Sequence, residues 1–245
     1  MNHENKNITH MLYDDDIGKV QLIESWGTDL TVVNSARVSF GVQKDELGER
    51  DKKLISYLIK HKHTSTLEHC GVTFKFVVPL YVANQHMRHR TWSYNSISRR
   101  YTDVNINFYE PEEFRTQHKS NRQASNAEEL SNPRILEEKY RGDRDYIPNT
   151  ASRLVALHHR ESLQLFNKLI EAGVCREQAR GVLPQNLYTE YYGTVNLSNL
   201  LKFIDLRTHE GAQWEIQKVA EACLEIATDL FPETVGAYRR IRNEE

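Results

Sequence analysis

The stretch Gly71–Arg90, GVTFKFVVPLYVANQHMRHR, changes period in its middle, and that change decides the fold class. Val72, Phe74, Phe76 and Val78 fall at alternate positions, the period of a strand with one buried face. Pro79 has a fixed φ and no N–H to satisfy, so it suits the first turn of a helix, read here over Leu80–Arg90. Upstream, KVQLIESW predicts a first strand through Val20, Leu22 and Ile23. Asp51–Lys62 then reads as a helix with Leu54, Ile55, Leu58 and Ile59 on one face. Downstream, helical periodicity covers Thr150–Ala172 and closes on Gly173 as a C-cap. A short helix at Arg176–Val182 stops before Pro184, and Leu187–Val195 reads as a strand. Asn196 is placed to cap a helix carrying Leu197, Leu200, Leu201 and Ile204. Ile216, Val219, Cys223, Ala227 and Leu230 mark one face of a longer helix. Strands and helices mix without regular βαβ alternation. The expected class is therefore α+β, with helices around a mainly antiparallel sheet.

The 245 residues are read as a single domain, 1–245, with a polar surface excursion at about 110–146, where large apolar residues are few. Hydrophobic residues at 39% and charged residues at 27% fit a globular chain and exclude a disordered one. A net charge of −2 argues against a molecule built to coat nucleic acid or an anionic membrane. No apolar run approaches the roughly 20 residues of a membrane span. Cys70, Cys175 and Cys223 show no paired spacing, so a reduced, cytoplasmic protein is expected. The histidines, His86, His89, His158 and His159 among them, lack the Cys or carboxylate spacing of a zinc site, and no metal is expected.

The chemistry concentrates in one place. His69–Thr102 contains no Asp or Glu, while Lys75, Arg88, Arg90, Arg99 and Arg100 supply five positive charges. Arginine offers a planar fork of donors suited to phosphate oxygens. Ser93, Asn95, Ser96 and Ser98 lie between the arginines and can complete a phosphate's hydrogen-bond shell. Trp92, Tyr94 and Tyr101 can stack on a flat ring. A helix through Arg90 would put Gln85 on one face with Arg88 and His89. The ligand read from these residues is phosphorylated and planar, a nucleotide. A basic run alone is more often a solvated face, and interleaved aromatics also fit a nucleic-acid-binding module that uses segment 88–101.

RHRTWSYNSISRRY at Arg88–Tyr101 resembles the signature of the flavin-dependent thymidylate synthases: Arg-His-Arg, seven residues, then Ser. Four further segments resemble the same family in the same order: NSARVSFG at Asn34–Gly41, HTSTLEH at His63–His69, QARGVLPQ at Gln178–Gln185 and LRTHEGAQWEIQ at Leu206–Gln217. The resemblance implies methylation of dUMP, with bound FAD and with NADPH and methylenetetrahydrofolate as co-substrates. It also implies a homotetramer whose sites are shared between subunits. Carried onto matching positions, it assigns the nucleotide to Gln85, Arg88, Ser98, Arg100, Arg180 and Arg207, with Ser98, Arg100 and Arg180 at the phosphate. Arg207 is the residue expected to activate the pyrimidine. Ser65, Arg88, His89, Arg90 and Asn196 are assigned to the flavin. Three positions depart from the family: Ser96 stands where Glu is usual, Ser198 where Arg is common, and Lys202 where Asn or His is common. Ser96 is kept at both ligands, Ser198 and Lys202 at the flavin. The rivals are the nucleic-acid module, which leaves Arg180 and Arg207 unexplained, and a flavin reductase that does not methylate.

Overall fold

The computed structural model describes residues 8–102, 105–121, 125–135 and 149–244. In chain order its elements are β1 (Thr9–Met11), β2 (Lys19–Trp26), α1 (Asp29–Arg37), α2 (Glu49–Lys60), β3 (Gly71–Pro79), α3 (Leu80–His86), β4 (Ser93–Ser96), β5 (Phe114–Gln117), β6 (Ser125–Ser131), β7 (Arg134–Ile135) and β8 (Asn149–Thr150). They continue with α4 (Ala151–Glu171), α5 (Arg176–Ala179), β9 (Tyr188–Asn196), α6 (Leu197–Arg207), α7 (Trp214–Leu230) and α8 (Pro232–Glu244). The main sheet has the order β1-β2-β3-β9-β4. The pairs β1–β2, β2–β3 and β4–β9 are antiparallel, as the α+β expectation requires. Contacts divide the chain into two compact units. The first is Met1–Val77, Asn84–Ser96 and Glu190–Glu245; the second is Val78–Ala83 and Ile97–Thr189.

In the first unit, the alternation in β3 does what its period demands. Val72, Phe74 and Phe76 are fully buried, while Lys75 points outward to Glu190 at 2.8 Å. Ile216, Val219, Cys223 and Ala227 of α7 are likewise fully buried, as are Leu200 and Ile204 of α6. Asn196 caps α6 as expected, its side chain accepting from the Asn199 N–H at 2.9 Å. Two buried carboxylates tie helices together. Asp29, at the start of α1, accepts from the N–H groups of Glu233 and Thr234 at 3.0 and 2.9 Å and so caps α8. Asp51 is completely buried and takes Arg37 and Lys44, each at 2.6 Å, together with the Gly48 N–H at 2.9 Å. Those partners hold its carboxyl at about 2, well below the usual carboxylate range, against the opposing pull of burial. The NSARVSFG motif therefore has a structural use: Arg37 meets Asp51, and Asn34 exchanges two 2.9 Å bonds with the backbone of Lys44.

In the second unit, α4 spans Ala151–Glu171 and closes with Gly173 at φ +86°, the left-handed C-cap that the sequence signals. His159 is buried, stacked on Phe108 at 4.8 Å and 2.9 Å from Glu110 Oε1, which gives it a structural role. Part of the excursion expected at about 110–146 lies outside the described residues, at 122–124 and 136–148. Its described part contains the antiparallel pair of β5 and β6.

The helix after Pro79 is shorter than the periodicity predicts, ending at His86 and not at Arg90. At the stop the chain closes tighter turns, the His89 N–H donating to the His86 carbonyl at 2.9 Å and the Trp92 N–H to the His89 carbonyl at 3.3 Å, and the Tyr94 hydroxyl shares its one proton between those carbonyls at 2.8 and 3.1 Å. Trp92 is 5% exposed and packs on His86 at 4.5 Å and Phe203 at 5.4 Å. The chain must therefore turn inward at Thr91 to bury it.

Candidate active site

In the first unit, Arg207 is the last residue of α6, a helix pinned by the buried Leu200, Leu201 and Ile204. Its Nε donates to His89 Nε2 at 3.0 Å, and its Nη2 donates to the Gln85 carbonyl at 3.3 Å. The segment beyond α3 is thus brought against Arg207 by a turn, not by the shared helical face expected for Gln85, Arg88 and His89. Burial, and secondarily the Arg207 charge, lower the His89 pKa to about 4. His89 is neutral at pH 7, and because its Nε2 accepts from Arg207, its proton sits on Nδ1. The imidazole holds the guanidinium without neutralising it. A carboxylate in its place would cancel the charge that the site has to offer.

His86, fully buried beside this pair, binds the Tyr191 hydroxyl through Nδ1 at 2.9 Å, and burial drives its pKa well down. Its rings of contact, Phe76, Trp92 and Phe203 among them, make it core. Trp92 and Tyr94 are likewise committed to packing, which corrects their reading as stacking platforms. The segment is no continuous basic–aromatic surface, and the nucleic-acid reading loses its physical basis. Of the three aromatics only Tyr101 is exposed, at 79%, and the Arg100 guanidinium lies 5.6 Å over its ring. Arg88, Arg90, Ser65 and Ser96 are exposed.

The first unit also contains a cavity of about 570 Å³, lined by Lys62, Thr64, Ser198, Lys202, His209 and Arg242 among others. Ser198 and Lys202, two of the departures from the family pattern, meet there, next to the loop that carries Ser65. Ser198 is 2% exposed and its Oγ has no partner among the described residues. A buried hydroxyl in that state suits a ligand that brings its own donor or acceptor. The cationic rim suits an anionic ligand, so these residues fit a flavin dinucleotide. Asn196 spends its side-chain oxygen on capping α6.

In the second unit, Arg180 lines a smaller cavity of about 320 Å³ with Leu80, Ile97, Arg99, Leu183 and Gln185. Arg180 is exposed, its Nε donating to the Glu177 carbonyl at 3.3 Å. Arg100 Nη2 stands 4.0 Å from the Glu177 carboxylate. Ser98 Oγ accepts from the Arg100 N–H at 3.3 Å, and its carbonyl closes the turn at Tyr101. Arg99 is engaged by the carbonyls of Asn105 at 3.1 Å and Tyr188 at 3.4 Å, a structural use of that charge.

Two of the three cysteines are buried thiols. Cys223 is fully buried, and burial raises its pKa; Cys70 is buried and pushed up to about 12; Cys175 is exposed. Among the described residues no cluster of three or more His, Cys, Asp or Glu is placed to hold a metal ion, and no helix is long and apolar enough to cross a membrane. Gln213 escaped the reading of the sequence, although it lies in the quoted LRTHEGAQWEIQ motif. Gln85 Nε2 donates to Gln213 Oε1, and Gln213 Nε2 donates to Glu215 Oε2 at 2.8 Å.

Residues 21–233 match the family model described as thymidylate synthase complementing protein. The chain is 39% identical over 224 residues to a flavin-dependent thymidylate synthase of Thermotoga neapolitana, covering 91% of each. It is 42% identical over 225 residues to the flavin-dependent thymidylate synthase of Thermus thermophilus, covering 91% of this chain and 76% of that one. A crystal structure of a UMP/dUMP methylase from Streptomyces cacaoi bound with 5-Br dUMP superposes with a TM-score of 0.74 at 31% identity, over 94% of this chain and 97% of that one. A family model over most of the chain and relatives at 39–42% identity settle the membership: the chain belongs to the flavin-dependent thymidylate synthase family.

Proposed function

We propose that this chain converts dUMP to dTMP by reductive methylation, taking the carbon from methylenetetrahydrofolate and the hydride from FAD that NADPH re-reduces. The observation that carries the reading is Arg207, a fixed guanidinium held by a neutral imidazole and a backbone carbonyl. Loss of the pyrimidine ring proton, or arrival of hydride on the ring, spreads negative charge over the carbonyl oxygens. A preorganised cation beside them stabilises that charge more than it stabilises neutral dUMP. The flavin, when bound, supplies hydride; the protein orients the rings and supplies charge.

Gln85 and Arg207 take the pyrimidine, with Arg88 and Ser96 beside the nucleotide, while Ser98, Arg100 and Arg180 take its phosphate. Ser65, Arg88, His89, Arg90, Ser96, Asn196, Ser198 and Lys202 take the flavin, with Ser198 offering a hydroxyl and Lys202 a charge. Residues 1–245 act as one catalytic subunit of a homotetramer in which different subunits complete each site. The exposure of Ser65, Arg88 and Arg90 in the single chain supports that arrangement.

The protein purified with flavin should be yellow and should release tritium from C5-labelled dUMP when folate and NADPH are supplied. NADPH oxidation without tritium release would replace this reading with a reductase. The tetramer is tested separately, by light scattering of the eluted protein.

A further inference from the structure

Gln85, Gln213 and Glu215 form a hydrogen-bonded row within the first unit, and its direction is dictated from one end. Glu215 is 4% exposed, and its carboxylate oxygen accepts. Gln213 must therefore turn its Nε2 to Glu215, which it meets at 2.8 Å, and its Oε1 to Gln85. Gln85 must then spend an N–H on Gln213. Its own Oε1 meets no donor among the described residues, while its backbone carbonyl receives the Arg207 guanidinium at 3.3 Å. The row is anchored. Gln213 caps α7, its carbonyl receiving the N–H groups of Ile216 and Gln217 at 3.1 Å each. Gln217 ties the preceding loop through the carbonyls of His209 at 2.9 Å and Ala212 at 3.0 Å. The Glu215 carbonyl receives the Tyr13 hydroxyl at 2.9 Å.

We infer that Gln213 and Glu215 are positioning residues that fix the sense of the Gln85 amide, so that Gln85 presents an acceptor oxygen and selects a nucleotide with a donor to meet it. An unanchored glutamine amide can turn over and present NH₂ equally well. The carboxylate removes that choice. The inference rests on the reading of Gln85 as a dUMP residue. Two groups of dUMP can serve as the donor, the ring N3–H and the sugar 3′-hydroxyl. Analogues that each lack one of them, 3-deaza-dUMP and 2′,3′-dideoxyuridine monophosphate, separate the two.

Equilibrium binding of dUMP and both analogues to the flavin-loaded enzyme, followed through the flavin absorbance, tests the arrangement. In the wild type one analogue should bind about tenfold more weakly than dUMP, because the Gln85 oxygen is left without its donor. Glu215→Gln gives the row an end that can donate as well as accept. The penalty against that analogue should shrink to about twofold, with flavin content unchanged. The double variant Gln213→Glu, Glu215→Gln moves the carboxylate to the middle of the row, where Gln85 must again donate to it, and should restore the penalty. A purely structural role would move the melting temperature but not this ratio. Absence of dUMP binding to the wild type would remove the proposed function itself. Binding of dUMP with no penalty for either analogue would overturn the relay even if no variant folds. So would a penalty that survives Glu215→Gln, or one that the double variant, folded and flavin-loaded, fails to restore.

Discussion

Arg207 and Arg180 carry the same side chain in opposite surroundings, and the proposed function gives them opposite uses. Arg207 ends a helix whose apolar face is sunk in the core, gives Nε to a neutral histidine and Nη2 to a carbonyl, and is partly withdrawn from water. Burial lowers its pKa, but no carboxylate shares its charge through either bond. Arg180 stands in water at the end of a short helical turn, held by one 3.3 Å bond to the Glu177 carbonyl. A charge that must stabilise a transition state gains from being fixed and dry, since reorganisation has been completed before the reaction. A charge that must catch a phosphate gains from reach. The environment of a guanidinium, and not its presence, distinguishes chemistry from capture.

The largest expected effect breaks the fixed member of the pair. Arg207→Ala should lower kcat about a hundredfold to a thousandfold, the usual cost of one preorganised donor. Arg207→Lys should recover only part, because a point charge cannot hold both His89 and the Gln85 carbonyl. Flavin content should stay at the wild-type level in both. A kcat within a factor of a few of wild type in Arg207→Ala would assign pyrimidine activation elsewhere.

The reaching member is tested by affinity. Arg180→Ala and Arg100→Ala should each weaken dUMP binding about tenfold to a hundredfold, through loss of a charge-assisted hydrogen bond of about 1.5–3 kcal/mol. The flavin should remain bound. If Arg180→Ala were to shed flavin and retain dUMP affinity, the phosphate assignment would be wrong.

The imidazole that holds Arg207 gives a pH signature. His89 has its folded pKa lowered to about 4, below its ordinary value near 6.5. The unfolded chain therefore takes up a proton that the folded chain refuses. The stability tied to the neutral ring is complete above about pH 6.5 and is lost as pH falls from 6.5 toward 4. His86, fully buried and shifted the same way, adds to the same window. Melting temperature should therefore fall across pH 6.5–4 in the wild type and fall less steeply in His89→Gln, whose amide oxygen can still accept from Arg207. Parallel curves would show that His89 is not held neutral.

How much of this was legible depended on whether the deciding contacts were local. The strand at Gly71–Pro79, the Gly173 cap and the Asn196 cap were all read from neighbours along the chain, because period and capping are local physics. Helix α8 went unread: its cap comes from Asp29, more than 200 residues earlier. Trp92 and Tyr94 looked like surface aromatics because arginines flank them; only Phe203 and the buried His86 show Trp92 to be core, and the rings of His86 and Tyr191 hold the half-buried Tyr94. The same holds for the site. Arg207 was singled out from its motif, but His89, which accepts from it, is 118 positions away, and Gln213 meets Gln85 across 128. For Gln213 there was one usable signal, a hydrogen-bonding side chain just inside a motif already singled out. Nothing local says that it faces another glutamine.

The smallest effect sharpens the comparison most. Glu177 lies near both arginines proposed for the phosphate, its carbonyl on Arg180 and its carboxylate 4.0 Å from Arg100. A carboxylate there competes with a phosphate for Arg100, so its removal should tighten binding. At 4.0 Å, with both side chains about half exposed or more, the pair sits at the limit of an ion pair and in high dielectric. Exposed pairs of this kind contribute about 0–1 kcal/mol, and salt screens them further. Glu177→Gln should therefore strengthen dUMP binding by about twofold or less at low ionic strength, and not at all in high salt, with kcat unchanged. Its backbone carbonyl survives the substitution, so Arg180 keeps its tether. A gain of about tenfold would show that Glu177 holds Arg100 as firmly as His89 holds Arg207, and the contrast between a fixed guanidinium and a reaching one would fail at Arg100.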